Sequence, residues 1–197
     1  MMKVDEKEMR NALINRLNGY KECYIYEEFT VPSGKARADV VAVNGHVIAY
    51  EIKSDYDSLK RLETQILEYD LNFEMNYIVT GKKLLQEAEQ IIPNYWGIIL
   101  IEKNSNGKLK ISFERRAKLN PYLSFENFVA LLTAEEVKKV AIGQPAVTNK
   151  YSKLQIRKFF KQDLVKLLNE HLSLNKKREI KHLIRLTLKS KTNEIAN

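Results

Sequence analysis

The tripeptide Glu51-Ile52-Lys53 closes an apolar run, Val47-Ile48-Ala49-Tyr50. Alternation along a strand places Glu51 and Lys53 on one face and Ile52 on the other. Charges at the end of a buried strand are costly unless they bind something. Asp39 lies twelve residues earlier, between Ala38 and Val40, inside another β-rich run. If a hairpin centred on Asn44-Gly45-His46 joins the runs, residue 39 faces residue 51. Two carboxylates then converge beside an ammonium. Such a pair suits a hard divalent cation, which can polarise a phosphoryl oxygen and lower the pKa of a water. Lys53 could orient that water or stabilise developing charge.

The tripeptide is weak by itself, since a chain of this composition holds about three acid-x-Lys triplets by chance. Its ordinary reading is an ion pair at a sheet edge. Context adds weight. The segment after Lys53 has a helical apolar stripe, Leu59, Leu62, Ile66 and Tyr69 or Phe73. Gln65 lies between Leu62 and Tyr69 on nearly the same face, with Arg61 and Tyr69 one turn away on either side. A Gln aimed at the carboxylates could hold a water or a phosphate. Alone, Gln65 is more simply a half-exposed neighbour of a core Tyr.

Asp39, Glu51-Ile52-Lys53 and Gln65-Ile66-Leu67-Glu68-Tyr69, in that order, resemble the PD-(D/E)XK nuclease superfamily, and the Gln-x-x-x-Tyr helix resembles its RecB-like variant. The run from Arg37 through Leu62 is similar to a poorly characterised bacterial and phage branch. The similarity covers about residues 4–113. It implies that Asp39, Glu51 and the Ile52 carbonyl hold Mg²⁺, with Mn²⁺ substituting, and that Lys53 is the catalytic lysine, assisted by Gln65. Glu28 is the expected additional acid, with Glu27 and Glu6 as substitutes. Arg37, Arg61 and Tyr69 are expected to contact nucleic acid. Ala38 stands where many relatives have proline, and no His precedes Glu28.

The elements needed to position these residues can be read separately. Met9, Leu13 and Leu17 predict a helix over 5–17, ended by Asn18-Gly19. Strands are predicted at 23–30, 36–43 and 46–53. Asn44-Gly45 is a hairpin cue for a two-residue turn, which would pair 39 with 50 and send Asp39 and Glu51 to opposite faces. The site requires the three-residue loop and the 39–51 pairing, which is the register expected here. A helix capped by Asp57 or Ser58 should reach about residue 72. A strand at 76–80, a helix at 82–90 and strands at 97–102 and 108–113 follow. Beyond residue 124 the period is helical, with a capping box at Thr133–Glu136, a stop at Gly143, a helix over 152–172 carrying Phe159, Phe160, Leu164, Leu167 and Leu168 on one face, and a last amphipathic helix at 179–188. The fold class is α/β: an αβββαβ order with a mixed central sheet, matching a restriction-endonuclease-like core (1–118), then a basic helical region (119–197).

Composition sets the bounds. The chain has 197 residues, 44% hydrophobic and 29% charged, a normal globular mixture. The single cysteine, Cys23, excludes a disulfide scaffold and a Cys-based zinc site. The scattered histidines form no metal pattern, and no P-loop or GxGxxG is present. No apolar run spans a bilayer, and the charged start lacks the apolar core of a signal peptide. A cytoplasmic protein without membrane contact is expected. Net charge is −5 over 1–102 and +13 over 103–197. Residues 149–197 alone carry +9, and Arg157, Lys158 and Lys161 are expected among their phosphate contacts. The expected function is Mg²⁺-dependent hydrolysis of DNA phosphodiesters, a homodimer being compatible with it. The rivals are a non-catalytic DNA-binding or regulatory protein that keeps the fold, and an interaction protein of a phage or mobile element.

Overall fold

The computed structural model describes residues 2–195. Its contacts separate into two compact units after Tyr122, four residues beyond the change in composition at 118.

In the first unit, Asp5 and Glu8 cap each other's backbone and start α1 (Glu6–Asn18), which buries Met9, Leu13 and Leu17. The next elements are β1 (Tyr24–Thr30), β2 (Arg37–Asn44), β3 (His46–Lys53), α2 (Leu62–Asn72), β4 (Met75–Thr80), α3 (Leu85–Ile91), β5 (Gly97–Lys103) and β6 (Leu109–Arg115). The six strands form one mixed sheet in sequence order. β3, β4 and β5 are parallel neighbours, and the other pairings are antiparallel. Val40, Ala42, Tyr50, Ile52, Tyr77 and Val79 pack against α1. By alternation, Glu51 and Lys53 point to the opposite face, the side from which α2 approaches.

The β2–β3 register follows the wider loop. Val43 pairs with Val47 and Asn44 with His46, leaving Gly45 alone at the tip. Gly45 has φ +73°, a left-handed value that glycine adopts without a Cβ penalty. The Asn-Gly cue for the tighter turn is therefore overruled. A one-residue slip would send Asp39 and Glu51 to opposite faces and would exchange the two buried rows of β2, Val40 with Ala42 and Val41 with Val43, between differently packed sides.

Four expected helices differ in their bounds. α2 starts at Leu62, without a side-chain cap, because Asp57 turns back to accept hydrogen bonds from Ser54 N (2.8 Å) and Oγ (2.6 Å). α3 starts at Leu85 rather than residue 82. The helix expected over 152–172 is two helices in the second unit, separated by Phe159 and Phe160, both extended. Phe160 is 80% exposed, so the apolar face expected to be continuous ends there.

The second unit holds α4 (Phe125–Val129), α5 (Ala134–Ile142), α6 (Pro145–Thr148), α7 (Lys153–Lys158), α8 (Lys161–His171) and α9 (Leu174–Ile195). Thr133 and Glu136 form the expected capping box, and Gly143 closes α5. α9 extends well beyond the expected 179–188, through polar residues that carry no apolar period. Among the described residues, no helix is long and apolar enough to cross a membrane.

Candidate active site

The β2–β3 ladder stops at Val40–Tyr50, one step short of Asp39 and Glu51. Beyond that step the strands part, and the Asp39 carboxylate takes the place of a main-chain acceptor. Its Oδ2 accepts from the Ile52 N–H at 2.7 Å. The register keeps residue 39 opposite residue 51, and Asp39, Glu51, Ile52, Lys53 and Gln65 line one cleft of about 620 Å³. Ile52 enters it through its backbone, since its side chain belongs to the core on the α1 face.

Glu51 is almost wholly buried and fully engaged. Its Oε1 accepts from Lys53 Nζ and from Gln65 Nε2, each at 2.5 Å. Its Oε2 accepts from the Tyr69 hydroxyl, which also lies 3.0 Å from the Arg37 carbonyl oxygen. Gln65 and Tyr69 stand one turn apart on α2, so a single helix supplies two donors to one carboxylate. Tyr69 is itself fixed by stacking on Trp96 (5.9 Å between centroids, 12°) and edge-on contact with Phe73. Tyr69 is fully buried; this corrects its expected place among the nucleic-acid contacts. Burial, then the charge of Glu51, raises its hydroxyl pKa well above the usual value.

Asp39 is shifted in the same direction by the same two causes. Burial raises its pKa and the charge of Glu51 raises it further, to about 7, against the lowering effect of the Ile52 N–H, Arg10 and Lys53. On its outer side stands Arg10, from α1. The Arg10 guanidinium meets Glu6 at 2.6 Å, Glu28 at 2.7 Å and Asp39 Oδ1 at 3.5 Å, and donates to the Asp39 carbonyl at 3.0 Å. Glu28 sits opposite Asp39 in the β1–β2 register, with φ +54°, a left-handed conformation that costs a non-glycine residue about 1 kcal/mol or more. That turn directs its carboxylate between Arg10 and Arg37, whose Nε lies 2.6 Å away.

Carboxylates of the kind a hard divalent cation takes gather beside Arg10: Glu6, Glu28 and Asp39 each offer an oxygen, all within 4.8 Å of one another. Glu51 stands outside this group, its oxygens held by Lys53, Gln65 and Tyr69. Asp39 carries an unfavourable charge that a cation would relieve. Gln65 Oε1 is buried at the same site without a donor, an unsatisfied acceptor of the kind that bound water or ligand completes.

A family model described as Bacteriophage P4 protein cII matches residues 1–195. The chain belongs to the bacteriophage P4 protein cII family. Protein cII of Enterobacteria phage P4 is 30% identical over 179 residues, which are 88% of this chain and 64% of that protein. The chain therefore spans under two thirds of that relative's length. Among solved structures, the SPO1766 protein of unknown function from Silicibacter pomeroyi matches 56% of this chain and 69% of its own, at 18% identity and a TM-score of 0.40. That likeness is too loose to support any inference. The family match agrees with the phage association expected from the sequence.

Arg10 escaped the sequence reading. Its only signal was Glu6 one helical turn earlier, an ordinary surface pair by itself. Arg61 lines the cleft and is exposed, as is Arg37. In the second unit Arg157 and Lys158 are exposed, but Lys161 donates to the Ala130 carbonyl at 2.6 Å. Burial, followed by the charge of Lys191, lowers its pKa. Lys161 therefore ties α8 to the end of α4 and is not a free phosphate contact, contrary to expectation.

Proposed function

We propose that the first unit is a restriction-endonuclease-like core that hydrolyses DNA phosphodiesters. The observation that carries this reading is the 39–51 register, which brings two carboxylates to one cleft with Lys53 and Gln65 on the second. The order α1-β1-β2-β3-α2-β4 on a mixed sheet supports it. Asp39, Glu51 and the Ile52 carbonyl would hold Mg²⁺ or Mn²⁺, and Glu28 would complete the acidic set. The cation would supply Lewis acidity to a phosphoryl oxygen and to the attacking water. Tyr69 and Gln65 hold the Glu51 carboxylate in one orientation. Lys53 places a positive charge where negative charge develops at phosphorus. Arg61 and Arg37, at the rim, offer donors to the flanking phosphates. The exposed cations of the second unit add sequence-independent affinity for the polyanion.

The test is cleavage of end-labelled single- and double-stranded DNA in Mg²⁺, Mn²⁺ or EDTA. Cleavage with metal, absent in EDTA and absent from Glu51→Ala, is the expected result. Equal cleavage by Glu51→Ala overturns the assignment. DNA binding without cleavage by the wild type under any metal would favour a non-catalytic DNA-binding protein on the same fold.

A further inference from the structure

On the face of the sheet opposite Glu51, where α1 ends, lies a separate recess of about 250 Å³. Its floor is the parallel stack of Tyr50 on Tyr77 (5.3 Å, 10°). Tyr77 is fixed from both sides. A Cβ on Gly97 would come within 2.0 Å of its ring, so the missing side chain lets the ring lie flat on β5. Its hydroxyl accepts from Ala117 N at 3.1 Å.

Tyr50 is 95% buried, with 5% exposure, and lines the recess. A hydroxyl at the wall of a recess offers one donor and two acceptor lone pairs to whatever occupies it. The hydroxyl sits in a recess whose wall also carries Tyr20 and Phe113, rings that remain 39% and 40% exposed. Arg16 and Arg116 complete the wall, and no acidic side chain lines it. Arg16 lies over the Tyr20 ring at 5.5 Å.

Exposed rings beside two guanidinium groups, with a tyrosine hydroxyl and no acidic side chain in the lining, form a stacking surface with an anion clamp. We propose that this recess binds one unpaired nucleotide. The base lies against Tyr20 and Phe113 and reaches the Tyr50 hydroxyl, and the phosphate meets Arg16 and Arg116. Base–aromatic stacking with a cationic rim is how proteins take hold of single strands without reading sequence, and Arg is suited to the planar, bidentate capture of phosphate. The nucleotide is either free or part of a single strand. This assignment does not depend on the acidic cleft, which lies across the sheet.

Cys23 provides the test. It is the chain's only cysteine and lines the recess. Its rate of reaction with a disulfide reagent is measured on the full chain in EDTA, where cleavage plays no part. The probes are thymidine monophosphate, a short oligothymidylate and a duplex of equal length. The expected result is slowing of about fivefold or more by the single strand, with little effect of the duplex. Protection by the monophosphate at similar concentration identifies a free nucleotide as the occupant; protection only by the oligomer identifies the strand. Tyr50→Phe, which removes only a hydroxyl of the recess lining, should weaken protection without unfolding the protein. The Arg16→Glu/Arg116→Glu double variant should abolish it, and Asp39→Asn should leave it intact. Unchanged Cys23 reactivity with every probe, or full protection persisting in the double variant, overturns the proposal.

Discussion

Replacing Asp39 with Asn should make the protein more stable at pH 8 in the absence of a divalent cation. The Asp39 carboxyl is raised from 3.8 to about 7 by burial and by Glu51. A raised pKa in the folded state means that the native protein binds the proton more tightly than the unfolded chain. The resulting stability is fully present below pH 3.8 and is lost as pH rises through about 7. Three pH units at 1.36 kcal/mol each correspond to about 4 kcal/mol. Sharing of the proton with Glu51 reduces this, so a difference of about 2–4 kcal/mol is expected between pH 4 and pH 8. The amide of the Asp39→Asn variant keeps an oxygen for the Ile52 N–H and carries no charge at any pH. Wild type and variant should therefore be about equal at pH 4 and diverge steadily to pH 8 in favour of the variant. Trp96, the only tryptophan, is fully buried against Tyr69 in this unit, so urea unfolding followed by its fluorescence reports on the relevant core. Millimolar Mg²⁺ or Mn²⁺ should restore much of the wild-type loss at pH 8 by binding only the folded state, and should not affect the variant. A stability difference that stays constant across the pH range, or a variant less stable than wild type at pH 8 in EDTA, would refute the account of Asp39 as a strained charge.

Further outcomes follow from individual contacts. Tyr69→Phe removes one donor from Glu51 and frees the carboxylate to turn; it should lower kcat by about tenfold or more in the cleavage assay while the fold persists. Gly81→Ala should cost about 2–3 kcal/mol in urea unfolding, since its Cβ would lie 2.2 Å from Asp55 Oδ1, on a carboxylate held by Val4 N and Lys83 N. Reversing Arg157 and Lys158 should weaken DNA binding and flatten its salt dependence by about two phosphate contacts in a titration across ionic strength. Lys161→Ala should leave that slope unchanged and instead lower the melting temperature, because its ammonium is spent on Ala130.

The sequence revealed the site through its strands, because their information is local. Period-two alternation fixes which residues share a face, and burial on both sides of β2 and β3 penalises any slip. The 39–51 register could therefore be preferred over a strong turn cue and is the register found. Helix ends were less legible. Asp57 and Ser58 are both good N-caps, yet Asp57 folds back on Ser54, and no propensity scale contains that competition. The helix expected over 152–172 broke at two phenylalanines whose apolar character suggested continuity, while the half-burial of Phe159 against Tyr151 and the exposure of Phe160 could be seen only in three dimensions.

The roles of individual site residues divide in the same way. Gln65 and Tyr69 were placed near Glu51 by a spacing of four on one helix, which is sequence information. Their tasks differ because of depth: Gln65 retains an unsatisfied oxygen at the cleft, whereas Tyr69 lies beneath Glu51 between Trp96 and Phe73, out of reach of any polynucleotide. Arg10 had only the weak signal of Glu6 on its own helix, because its other partners come from β1 and β2. Only the sheet brings Glu28 and Asp39 together, and only the packing of α1 on that sheet adds Glu6 and the guanidinium. The same packing sets the acidic cleft apart from the tyrosine recess. Neighbouring residues of β3 serve the two places, Glu51 facing the cleft and Tyr50 the recess, because a strand sends consecutive side chains to opposite faces. Substitution at either residue should therefore be separable in function while remaining adjacent in sequence, so Tyr50→Phe is expected to leave metal-dependent cleavage intact and Glu51→Ala to leave Cys23 protection intact.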